Sequence, residues 1–157
     1  MSLGARFVTR LVLEPLLANE DFCELRAELV YASRILHCML TVPVGFHTDL
    51  DSTPRYLPMA YAVLKGTGKP AAVVHDWLYQ AHRADPYTIG LVGGGWYERE
   101  VPVSRKVADA VYAEALDALG VPAWKAWLLY RAVRLGGASS YASGPIRWSV
   151  NNAHMFA

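Results

Sequence analysis

Residues 24–42 read Glu-Leu-Arg-Ala-Glu-Leu-Val-Tyr-Ala-Ser-Arg-Ile-Leu-His-Cys-Met-Leu-Thr-Val. As far as Tyr31 the apolar residues alternate, with Leu25, Ala27, Leu29 and Tyr31 on one face and Glu24, Arg26 and Glu28 on the other. A period of two is the mark of a half-buried strand. The run 35–42 is apolar enough to be its partner, and Pro43 with Gly45 ends it. The two form a hairpin with its turn near Ser33 and Arg34, which places Leu29 opposite Cys38. Upstream, residues 6–13 (Arg-Phe-Val-Thr-Arg-Leu-Val-Leu) are β-branched and apolar and read as a first strand that Pro15 stops. The first third of the chain is therefore expected to be an antiparallel meander.

Downstream the periodicity changes. Residues 43–56 are dense in Gly, Pro, Asp and Thr and read as a structured loop. Residues 70–84 open on Pro70, suited to a first helical turn, and space Val74, Trp77, Leu78 and Ala81 as one helical face. Residues 85–103 hold Gly93-Gly94-Gly95 and read as a long flap-like loop that can include a short hairpin. Ser104 is suited to cap a helix over 104–119, with Gly120 at its end, and Pro122 opens a second helix closed by Gly136-Gly137. Strands first and helices afterwards predict an α+β fold in which three or more C-terminal helices, including a helical hairpin, cover the sheet. One α+β domain is expected over 1–137. Residues 138–157 have Arg147 as their only permanently charged side chain and carry Tyr141, Trp148, Met155 and Phe156, the pattern of an aromatic arm that packs on something.

The composition supports a packed core: 54% of the 157 residues are hydrophobic. Fifteen basic against 14 acidic residues give a net charge of +1, so bulk electrostatics do not hold a polyanion or an acidic membrane surface, and nucleic acid is not an expected partner. No apolar run is long enough for a membrane span, and the N-terminal residues lack a signal-peptide core. Cys23 and Cys38 are too few for a disulfide framework and read as small buried hydrophobes.

The chemistry-bearing residues are Asp49, Asp51, Arg55, His75, Asp76 and Asp109, drawn from the loop and two helices. A histidine beside carboxylates can run acid/base chemistry or hold a divalent metal ion. On this reading His75, Asp76 and Arg55 are the catalytic candidates, with Arg55 steadying an oxyanion, and Asp49, His75, Asp76 and Asp109 the metal candidates. The competing reading makes the same residues a satisfied polar seam under the loop. No complete catalytic signature decides between them: there is no His-Glu-x-x-His helix, paired-cysteine spacing, nucleophile elbow or phosphate loop. The order His47, His75-Asp76, Asp109 superficially follows HD-type phosphohydrolases, but His47 lies in a Gly/Pro loop and the chain is not all-helical. Arg131, Arg134 and Lys125 read as a solvated face, and Trp124, Trp127 and Tyr130 as core or oligomer contact.

The string 42–55 (Val-Pro-Val-Gly-Phe-His-Thr-Asp-Leu-Asp-Ser-Thr-Pro-Arg), then His75-Asp76-Trp77-Leu78-Tyr79, then Ala108-Asp109, then Ala132-Val133-Arg134-Leu135-Gly136 resembles the DUF1353 family, small proteins of unknown function found largely in tailed phages and prophages. The likeness runs from about residue 7 to residue 137. Asp51 stands where a small residue is common and Tyr112 where Phe is. The resemblance implies a phage or prophage origin and marks Asp49, Ser52, Arg55, His75, Asp76, Tyr79 and Asp109 as motif positions.

Two functions are expected from different classes. The first is a virion-associated tail or assembly component, made in the host cytoplasm and incorporated in the particle. It would contact other phage structural proteins or itself through 138–157. The second is a small metal-dependent hydrolase acting on host cell wall or other host material.

Overall fold

A computed structural model describes residues 4–50, 66–84, 86–87 and 101–142. Among the described residues the strands and helices follow in the order β1 (Arg6–Phe7), β2 (Leu13–Leu16), β3 (Asn19–Leu25), β4 (Leu29–Ser33), β5 (Cys38–Val42), β6 (His47–Thr48), α1 (Lys69–Ala81), β7 (Arg83–Ala84), β8 (Pro86–Tyr87), β9 (Val101–Pro102), α2 (Arg105–Ala118), α3 (Ala123–Gly136) and α4 (Ala138–Ala142). Six strands precede the first described helix, as the α+β reading expects. They form two antiparallel sheets, not one meander: β1-β4-β5, with β8 added at its edge, and β2-β3-β6.

The expected first strand is split between the sheets, and Pro15 does not stop it. β2 runs through Pro15, which pairs with Cys23, and the register shifts between Pro15 and Leu16. A residue without an N–H is tolerated there because β2 is an edge strand. The alternating run 24–31 is also divided, ending β3 at Leu25 and starting β4 at Leu29, while Leu25, Leu29 and Tyr31 keep their common buried fate. The hairpin register differs from the expected one: Ser33 faces Cys38 and Leu29 faces Val42. Its turn occupies residues 34–37, with His37 in the left-handed region at φ 53°.

A carboxylate from α2 holds that turn. Glu114 accepts from Ser33 Oγ (2.8 Å), Tyr31 Oη (3.0 Å), Arg34 N (3.1 Å) and Ile35 N (3.0 Å). The turn's part-buried backbone donors, Arg34 N and Ile35 N, are satisfied from a helix about 80 residues away in sequence.

α1 packs against β4 and β5, and α2 against β1 and β4, so these two helices cover the larger sheet. The core between them contains Tyr31, Leu40, Val73, Leu78, Tyr112 and Leu116. The expected boundaries of α2 are observed: Ser104 Oγ accepts from Val107 N at 3.3 Å. At the other end Gly120, at φ 73°, donates to Asp117 O while Val121 N reaches Leu116 O. This closing pair of bonds needs the left-handed residue that glycine supplies. At the ends of the expected 85–103 loop Arg83 pairs with Pro102 and Ala84 with Val101, while most of the segment, and with it the expected hairpin, lies outside the described residues. The triple glycine and Arg55 lie outside the described residues.

The first five residues of the expected arm form α4, which packs on α1 and α3. Tyr141 anchors it: its hydroxyl donates to Val103 O at 2.7 Å, and its ring stacks on His82 at 3.9 Å.

Candidate active site

Three helices meet at Asp109. Its carboxylate, on the side of α2 that meets α1 and α3, is 0% exposed. His75 and Tyr79 lie one turn apart on α1, so both reach the same point on α2. The His75 Nε2 atom is 2.8 Å from Asp109 Oδ1, and the Tyr79 hydroxyl donates to that same oxygen at 2.5 Å. Arg134, from the last turn of α3, donates to Oδ2 at 2.7 Å, and Arg105 Nε stands 3.9 Å from it. Arg105 also donates to the carbonyls of Val133 and Arg134, tying α2 to the C-terminal end of α3, where a cation is electrostatically favoured. His75 is 3% exposed and lies between the rings of Tyr79 (4.0 Å) and Tyr112 (4.8 Å).

The electrostatics follow from these contacts. Burial pushes the His75 pKa below its ordinary 6.5, against the opposing pull of Asp109, and Arg105 pushes the same way as burial. Burial would raise the Asp109 carboxyl, but hydrogen bonds from His75, Tyr79 and Arg134 hold it below its ordinary 3.8. The Tyr79 hydroxyl is pushed up by burial and by its bond to Asp109. At neutral pH the site thus contains an ionised Asp109, a neutral imidazole and a protonated Tyr79. An ionised carboxylate only accepts, so His75 must carry its hydrogen on Nε2, and Nδ1 is left as a base.

Asp76, the next residue of α1, points about 100° away from His75. Its Oδ2 accepts from Thr48 Oγ1 at 2.6 Å, and Thr48 in turn accepts from Leu50 N at 3.1 Å. Leu50 has φ 58°, an uncommon conformation for a branched apolar residue that marks where the chain turns away from β6. Asp76, Thr48, His47, Asp49, Tyr79 and Ser140 line a cleft of about 180 Å³. Tyr79 belongs to both groups, a wall of the cleft and a partner of Asp109.

The expected metal set is therefore sorted in two. His75 and Asp109 engage each other beside two guanidinium groups, which already supply the positive charge at Asp109, while Asp76 and Asp49 line the cleft. Among the described residues no three His, Cys, Asp or Glu side chains are grouped to hold a metal ion. Arg55 and Ser52 lie outside the described residues. Arg134 is not the solvated residue that its place on the helix suggests. Its signal was its place in the Ala-Val-Arg ending, and that of Arg105 its position one turn before Asp109.

The family model described as Protein of unknown function (DUF1353) matches residues 23–133. The chain belongs to the DUF1353 family. No curated protein and no solved structure matches it. The DUF1353 match takes in His75, Asp76, Tyr79, Arg105 and Asp109 and ends one residue before Arg134.

Proposed function

We propose that this DUF1353 protein is a small hydrolase, of tailed-phage or prophage origin, acting on host material, with His75 as general base. The observation that carries the reading is the 2.8 Å contact from His75 Nε2 to a carboxylate that Tyr79 and Arg134 hold ionised and fixed. Nδ1 takes a proton from water as that water adds to a carbonyl carbon, and the imidazolium returns the proton to the leaving group. Asp109 keeps the tautomer and stabilises the imidazolium without itself being protonated. Tyr79 lines the cleft and bonds Asp109, so the dyad lies behind that wall and water must pass Tyr79 to reach Nδ1. Asp76 and Asp49 are the groups there that can orient water or meet a divalent cation, and Arg55 is the proposed oxyanion partner. A neutral histidine held by an ionised aspartate is a pairing that general-base catalysis uses.

The test is hydrolysis of chromogenic esters and of cell-wall fragments by the full chain, with and without chelator. His75→Asn is expected to lower the rate by about 10²–10⁴-fold. Equal rates for the two proteins would overturn the reading.

A second reading is favoured by the burial of the same residues. A fully buried Asp109 that joins α1, α2 and α3 also serves as a scaffold for a virion-associated tail or assembly component that contacts its neighbours through residues 138–157. Removing residues 143–157 is then expected to abolish co-sedimentation with particles while the melt is retained.

A further inference from the structure

The helix α3 is apolar on two sides. Leu129 and Val133 face the core. Trp124, Trp127, Leu128, Arg131 and Leu135 fall within about 100° of arc on the opposite side. Trp124 is 54% exposed, Trp127 60% and Leu135 74%. A contiguous aromatic and aliphatic stripe left in water marks an interaction surface. Its charges are of one sign: Lys125 and Arg131 flank the stripe, Arg134 is paired with Asp109, and α3 contains no acidic residue. Two of these cations lie over the exposed rings, with Lys125 Nζ 5.5 Å from the Trp124 centroid and Arg131 Cζ 5.8 Å from that of Trp127. Tryptophan rings flanked by basic groups suit the boundary between phosphate headgroups and acyl chains, where each ring has an apolar body and a polar edge to satisfy.

We propose that the outward face of α3 docks on an anionic phospholipid surface. Charge complementarity selects this occupant. A second copy of the chain meeting this face isologously would set Lys125 and Arg131 against like charges with no acid to pair them. Residues 143–157 contain no acidic side chain either, so the chain's own C-terminal stretch does not neutralise the face. The near-zero net charge of the whole chain does not oppose the docking, because the field is local to one helix. This inference does not depend on the His75–Asp109 dyad.

The experiment is sedimentation of the full chain with vesicles of phosphatidylcholine alone and of phosphatidylcholine mixed with phosphatidylglycerol, alongside size-exclusion chromatography. The wild-type chain is expected to sediment with the anionic vesicles. Trp124→Ser combined with Trp127→Ser is expected to weaken this binding by roughly tenfold or more, as the apolar anchors leave the interface. Lys125→Glu with Arg131→Glu is expected to remove the preference for anionic vesicles. All four substitutions fall on exposed or half-exposed positions, and unchanged melts show that the variants are folded. Absence of binding to either vesicle would overturn the proposal. So would binding that both double variants retain, or a dimer that the tryptophan substitutions dissolve.

Discussion

The Tyr79 hydroxyl and the His75 imidazole share a single oxygen, Oδ1 of Asp109, at 2.5 and 2.8 Å. Two donors on one acceptor leave Oδ2 for Arg134, so each side chain has its own place on the carboxylate. Tyr79→Phe removes a buried hydroxyl and one of three strong donors to Asp109. It is expected to cost about 1–3 kcal/mol of unfolding free energy, measured by urea titration, and to raise the pKa of Asp109.

Arg134 is the charge that compensates Asp109 from α3. Arg134→Met leaves the buried carboxylate with the more distant Arg105. Because Arg134 is itself about one-third exposed, solvent screens part of its attraction to Asp109, and the expected outcome is a measurable but modest loss of stability by denaturant unfolding. The loss should shrink in an Asp109→Asn background, where no charge is left to compensate.

The pH dependence has a definite sign. His75 titrates below 6.5 in the folded chain, so on acidification the unfolded chain takes up the proton first. Stability is full above pH 6.5 and falls as pH drops from 6.5 to the lowered folded value. Asp109, held below 3.8, adds a second loss as pH falls through and below that value. Thermal melts across pH 3–8 are expected to show both steps, and His75→Asn to remove the first. Hydrolysis is expected to persist across that upper window and to fail only as pH falls through the lowered folded value, where the imidazole of the folded chain is protonated and cannot act as a base.

Gly137 sits against the site from α3. A Cβ there would lie 2.5 Å from the Tyr79 hydroxyl and 2.7 Å from Val133 O, so Gly137→Ala is expected to push Tyr79 off Asp109 at a cost of about 1–3 kcal/mol. A parallel melt of Tyr79→Phe/Gly137→Ala should show a smaller penalty for the alanine, since the hydroxyl it meets is gone.

Glu114 is the sheet's counterpart of this network. Glu114→Ala strands four donors of the β4–β5 turn and is expected to cost about 2–4 kcal/mol, with Glu114→Gln retaining much of it.

Local chemistry was legible in the chain wherever it acts locally. Ser104, Gly120 and Pro70 marked helix ends because capping and φ preference are settled within one turn. The α+β order followed from the change of period near residue 43. His75 and Asp109 stood out as chemistry-bearing residues on the helices, and Tyr79 as a position that the family resemblance marks. What was hidden depends on distant partners: Pro15 is tolerated only because its strand is an edge, and the wider β4–β5 turn exists because Glu114 reaches it from α2. Arg134 looked solvated because nothing on α3 announces the carboxylate across the interface.

The central claim is that His75 is a neutral base whose Nε2–H is held by Asp109. The measurement that tests it most directly is long-range ¹H–¹⁵N NMR of the histidine side chains at pH 7, with His75→Asn to assign the signal. The account expects a neutral imidazole protonated on Nε2, with Nδ1 bare, titrating below pH 6.5. An imidazolium at pH 7, or a hydrogen on Nδ1, would contradict it and make the His75–Asp109 contact a structural tie.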